Sequence, residues 1–173
     1  MPKLITHWHL IAFFLFFLNA CSDQHADNRY QSDGFSIVPA ENWVFLKDTN
    51  DSLFGEREII FHLGEVSFAA FYFQSKPSKL EGFVDFYLKK TQPNISNSDT
   101  QTETFSQKIS DYDAIITNIA SQFAGAPEIT TLYSVKIPRN TKDIYFMSLI
   151  AAEDKVAIED ELEAVLKSLQ LEF

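Results

Sequence analysis

The apolar and polar positions divide the chain into three zones. Residues 1–20 hold a basic start, the α-amino group and Lys3, then an apolar run over residues 10–18, then a small residue, Ala20. Crossing a bilayer takes about 20 apolar residues for a hydrocarbon core of roughly 30 Å. The run is shorter than that, and the layout is that of an export signal removed by cleavage. Cys21 follows, and after it Ser22-Asp23-Gln24-His25-Ala26-Asp27-Asn28 has no core character. Residues 21–33 therefore read as a polar tether and 34–173 as a single domain, with folded-domain patterning setting in from Tyr30.

Within the domain, Gly34-Phe35-Ser36-Ile37-Val38-Pro39 alternates and stops at proline, which predicts a short strand and a turn carrying Trp43. Residues 58–63 and 66–73 flank Gly64-Glu65 and predict a hairpin. Both strands are apolar at nearly every position, as expected of a sheet covered on both faces. Ser78-Lys79-Leu80-Glu81 has the form of a capping box, with Ser78 as N-cap. Leu80, Phe83, Val84 and Tyr87 then fall on one helical face, Lys89 and Lys90 suit the helix C-terminus, and Pro93 ends it before a polar loop over 94–99.

Three breakers punctuate the chain beyond that loop. Asp111-Tyr112-Asp113 separates the Phe105 region from residues 114–119, Gly125-Ala126-Pro127 separates those from 129–137, and Pro138-Arg139-Asn140-Thr141 precedes 144–151. Connections this short predict an antiparallel meander. The last segment predicts a helix with Asp154 as N-cap and Ile158, Leu162, Val165, Leu166 and Leu169 in one stripe, leaving Glu159, Asp160 and Glu163 to a solvated face. The order gives an α+β fold, a mainly antiparallel sheet sandwiched with two or more helices.

Composition narrows the partners. The chain has 173 residues, 46% of them hydrophobic, enough for one core. Removing residues 1–20 takes away Lys3 and no carboxylate, so the formal charge moves from −10 to −11. Such a surface repels phosphate backbones and anionic head groups, which argues against nucleic acid as a partner and against electrostatic adsorption to a membrane.

Candidate chemistry is sparse. Only His25 and His62 follow residue 20, and they lack the spacing of a metal-binding pair. His62 could act as the base of a periplasmic hydrolase if a serine and a carboxylate met it in space, though no Gly-x-Ser-x-Gly elbow accompanies it. Asp48-Thr49-Asn50-Asp51-Ser52 spaces oxygen ligands like a calcium loop, but glycine comes late, at Gly55, and Ile59 stands where the bidentate Glu belongs, so a solvated turn is the reading. Trp43, Tyr72 and Tyr133 are assigned to core packing. No glycine-rich phosphate loop or dinucleotide fingerprint is present, and the residues call for no catalytic group, cofactor or metal.

Leu18-Asn19-Ala20-Cys21 resembles the lipobox of bacterial lipoproteins, with Leu three places before the cysteine and a small residue directly before it; Asn19 stands where Ser, Ala or Thr is usual. The resemblance implies cleavage before Cys21 and lipid attachment to its thiol, with palmitate or a related acyl chain on the new amino terminus. Ser22 rather than Asp after the cysteine implies the outer membrane, facing the periplasm. With Cys21 lipidated, the domain has no thiol left for a disulfide, nucleophile or metal site.

The element order, with Gly34-Phe35-Ser36-Ile37-Val38-Pro39 and Trp43, resembles the PsbP-like superfamily, which includes the DcrB lipoproteins and a nuclear Ran-binding protein. Ser168-Leu169 stands where that pattern has Ser-Phe. The resemblance implies an α/β/α sandwich and a non-catalytic binding or assembly role, with an envelope protein or a small ligand as partner.

Overall fold

A computed structural model of the chain describes residues 28–64, 66–76, 78–91, 100–123 and 126–172. The expected signal segment, Cys21, His25, the first part of the tether, Glu65 of the hairpin turn, Pro93 with the 94–99 loop, and Gly125 lie outside them.

The chain forms β1 (Tyr30–Ser32), β2 (Phe35–Ile37), β3 (Val44–Thr49), β4 (Arg57–His62), β5 (Phe68–Gln74), α1 (Leu80–Thr91), β6 (Gln101–Ile109), β7 (Tyr112–Phe123), β8 (Ala126–Ile137), β9 (Asp143–Ala151), α2 (Lys155–Lys167) and β10 (Gln170–Leu171). Seven strands make one sheet in the order β3-β4-β5-β9-β8-β7-β6, and β1-β2-β10 make a second. Neighbouring strands are antiparallel throughout. The expected hairpin is β4–β5 and the expected meander is β6 to β9. The last meander strand returns to pair with β5, from Phe68↔Leu149 to Gln74↔Asp143, so the hairpin and the meander share one sheet.

Period-two alternation sends the large side chains of the central strands to both faces. Ala69, Phe71 and Phe73 of β5 and Ile144, Phe146 and Ile150 of β9 join Phe35, Ile37 and Trp43 in one cluster, closed by Ile158, Leu162, Val165 and Leu166 of α2. Ala70 and Tyr72 with Tyr145 and Met147 form the opposite cluster, closed by Leu80, Phe83, Val84 and Tyr87 of α1. Each large side chain fully buried this way is worth about 1.5–3 kcal/mol. The result is an α/β/α sandwich in which α1 covers one face and α2 with the small sheet covers the other.

Several local expectations change. Pairing starts at Tyr30, inside the stretch assigned to the tether. Asp33 and Gly34 both have positive φ, 46° and 75°, and make the tight two-residue β1–β2 connection for which Asp-Gly is suited. Residues 44–49 form a strand that takes in Asp48 and Thr49 of the expected solvated turn. Their apolar run does not alternate because the register against β4 shifts between Phe45 and Lys47, a bulge that spoils the period. Ala126 and Pro127 belong to β8, facing Phe123 and Gln122 in register.

The capping box does not form. The Ser78 N–H donates to Tyr145 Oη (2.8 Å), and the Ser78 carbonyl accepts from Tyr145 Oη (2.6 Å) and Lys136 Nζ (2.9 Å). The first helical bond runs from Phe83 N to Lys79 O, so tertiary partners set the start of α1 one residue later. Asp154 does stand at the N-cap of α2 but makes no side-chain capping bond. Its carboxylate accepts from Ser67 Oγ at 2.6 Å. A Cβ on Gly64 would sit 2.7 Å from Asp154 Oδ2, so this glycine lets the β4–β5 turn close onto α2.

Candidate functional site

A cleft of about 680 Å³ lies where the first turn of α1 faces the β6–β7 hairpin and the end of β8. Leu80, Ala114, Ile115 and Pro138 give it an apolar lining, and Lys79, Glu81, Ser106, Gln107, Asp111 and Lys136 supply the polar one. The hairpin turns at Ser110–Asp111, with Ser110 at φ 56°. Every β6 residue from Gln101 to Lys108 is exposed, so this strand offers its side chains to solvent and not to a core.

Lys136 is fixed from three directions. It pairs with Asp143 at 2.7 Å, donates to the Ser78 carbonyl and lies 5.8 Å from the Tyr145 ring centre. The hydrogen bond to Asp143 pushes its pKa up, so it stays a cation. Among the described residues Lys79, Glu81 and Asp111 make no ion pair. A rim with uncommitted charges of both signs over an apolar floor suits recognition of a polar ligand or peptide segment, with shape from the floor and orientation from the rim.

A smaller cavity of about 260 Å³ is lined by Asp33, Glu56, Arg57, Phe73 and Lys142 among others. Arg57 is buried, lies over the Phe73 ring at 5.1 Å, and grips Asp48 through Nε (2.8 Å) and Nη2 (2.7 Å) while also reaching the Ser32 carbonyl. Tyr30 Oη donates to the same carboxylate at 2.6 Å. The Arg57 hydrogen bonds hold the Asp48 pKa down at about 2. This is a clamp joining β1, β3 and β4, and it corrects the reading of Asp48 as part of a solvated turn. Nearby, Glu56 accepts from Ser75 Oγ (2.7 Å) and pairs with Lys142 (3.0 Å). Those two partners, Ser75 first, lower its pKa to about 2.

His62 is half-buried at the end of β4, opposite Val44 and Phe68, and lines neither cavity. The serine and carboxylate near that end of the strand, Ser67 and Asp154, are bonded directly to each other. A triad needs the imidazole between hydroxyl and carboxylate. Trp43, Tyr72 and Tyr133 are core residues, as their patterning predicts. Glu159 departs from a purely solvated role, because it accepts a hydrogen bond from Tyr133 Oη; burial, then that bond, raise the Tyr133 pKa. Glu161 likewise accepts from Trp43 Nε1 at 3.1 Å. Among the described residues no group of three or more His, Cys, Asp or Glu is placed to hold a metal, and no helix is long and apolar enough to cross a membrane.

Sequence reasoning missed the cleft. Its polar residues come from three elements far apart in the chain, and the available signal was the polar run of β6 beside the short turn at Ser110–Asp111.

No family model and no curated protein matches the sequence. Solved structures do. The yeast (Saccharomyces cerevisiae) Ran-binding protein Mog1p is similar with a TM-score of 0.50 at 6% identity, over 83% of this chain and 95% of that one. Cyanobacterial PsbP (CyanoP) from Synechocystis sp. PCC 6803 is similar with a TM-score of 0.53 at 14% identity, over 83% of this chain and 91% of that one. At such identities the likeness concerns the fold, and the fold of this chain is PsbP-like.

Proposed function

We propose that this chain is an envelope lipoprotein, held in the membrane by acyl chains on Cys21, whose domain is a non-catalytic binding or assembly module with its ligand in the α1–β6–β7 cleft. The observation that carries the binding role is the cleft itself: an open, apolar-floored concavity whose rim charges, Lys79, Glu81 and Asp111, make no ion pair among the described residues. One neighbour of the same fold is named for binding Ran, which supports recognition of a protein as the use of such a framework. The anchor is supported by Leu18-Asn19-Ala20-Cys21, and Ser22 favours the outer membrane, with the domain in the periplasm. A single acyl chain binds a bilayer only marginally, whereas two or more hold it stably.

A photo-cross-linking side chain in place of Gln107, in the lipidated protein within its own envelope, tests the binding role. A discrete adduct that disappears with Asp111→Lys or Lys79→Glu is expected; adducts indifferent to those reversals remove the cleft from consideration. Palmitate labelling that persists in Cys21→Ser would overturn the anchor.

A further inference from the structure

The outer strand β3 carries three successive large apolar side chains in water: Val44 is 58% exposed, Phe45 45% and Leu46 56%. Among the described residues β3 is an edge of the seven-stranded sheet, with β4 its only neighbour there. Val44 is opposite His62, the last residue of β4, which brings the β4–β5 turn and its exposed Val66 (58%) to the same end of the strand. Large apolar side chains exposed on an open edge strand call for a cover.

The course of the chain identifies that cover. The Tyr30 ring stacks on Phe45, with centres 4.8 Å apart and planes at 19°, so the backbone before Tyr30 joins the domain beside the patch. Cys21 lies seven residues before Asn28, a span of at most about 25 Å. Resting on the reading of Cys21 as the lipid anchor, we propose that Val44, Phe45 and Leu46 seat in the headgroup–acyl boundary of that same membrane. Among the charges next to these residues, Lys47 pairs with Glu58 at 2.7 Å and Glu41 is exposed; a zwitterionic headgroup layer does not repel that carboxylate. The opposite edge of the sheet is β6, which lines the cleft, so a domain seated on β3 turns its cleft away from the bilayer. The lipid supplies affinity and the patch supplies orientation.

The test uses the full lipidated chain in phosphatidylcholine vesicles, spin-labelled at Leu46→Cys or, as control, Gln107→Cys. The domain has no other thiol, and both positions are exposed. On reconstitution, accessibility to a water-soluble nickel chelate is expected to fall several-fold at position 46 and to stay unchanged at 107, while oxygen accessibility at 46 rises. Protein that floats with vesicles but leaves both labels equally open to nickel overturns the seat and spares the anchor. Protein that does not float overturns both. Loss of nickel access at 46 with dipolar broadening between labels assigns the patch to a second copy and also overturns the seat.

Discussion

Asp48 receives two hydrogen bonds from Arg57 and one from Tyr30, a set that favours its ionised form over the neutral acid. A carboxyl held at about 2, below its ordinary value, binds fewer protons folded than unfolded. Its contribution to stability is therefore present above about pH 4 and is lost as the pH falls towards 2. With the carboxylate partly open to solvent, that contribution is about 1–2 kcal/mol. Asp48→Asn should lower unfolding free energy in urea at pH 7 by about 2 kcal/mol, because buried Arg57 loses its counter-ion. The variant should also lose part of the wild-type decline in stability between pH 4 and 2; an equally steep decline in both proteins would assign the acid sensitivity elsewhere. None of this was legible locally. Asp48 sits in a polar run, and Arg57 reaches it only because β3 and β4 pair.

The start of α1 makes the same point for an element. Leu80, Phe83, Val84 and Tyr87 were legible as its buried face because helical spacing survives whatever the face packs against. Its first residue was not, because the Tyr145 hydroxyl takes over both polar groups of the Ser78 backbone. Tyr145→Phe should preserve the stacking on Phe83, whose ring centre lies 4.1 Å away at 14°, and leave those groups without that partner. We expect a loss of about 1–3 kcal/mol, with amide exchange accelerating first at residues 79–83; uniform acceleration across the sheet would instead indicate a packing defect. The strands divide in a similar way. β4 and β5 are apolar at nearly every position and read correctly as covered on both faces, whereas β3 is irregular because of its bulge. β1 is too short to show a period, yet its Asp33-Gly34 turn was a usable signal. β10 has no local signal, since two residues become a strand only when β2 lies alongside. The cleft was illegible for the reason that applies to Asp48: Lys79, Gln107, Asp111 and Lys136 meet only after the meander is assembled.

At the scale of the molecule, the two faces of the sheet are closed by different means. One helix suffices over β7 and β8, while the other face needs α2 and a small sheet built from both ends of the domain. That second cover is tied across a long sequence separation. Ser168 Oγ accepts from the Val38 N–H at 2.9 Å, Glu172 N donates to the Gly34 carbonyl at 2.8 Å, and β10 pairs with β2. Leu169 and Leu171 pack against the same cluster as Phe35 and Trp43. Deleting residues 169–173 should therefore loosen the N-terminal hairpin, although the deleted residues lie at the other end of the chain. Two half-buried leucines, the two-position β10–β2 pairing and the Glu172–Gly34 hydrogen bond put the loss at about 2–4 kcal/mol. Trp43 is the only tryptophan after residue 20 and sits in this cluster, so its fluorescence reports the α2 side, while circular dichroism reports the whole fold. If the small sheet is integral to the core, both probes will shift to lower urea together. If it is an appendage, Trp43 will respond first and the seven-stranded sheet will keep its original midpoint. The shared residues favour the coincident shift, because Phe35 touches Phe71 and Phe73 at ring distances of 5.0 and 5.6 Å, and the small sheet cannot leave without opening the centre of the large one.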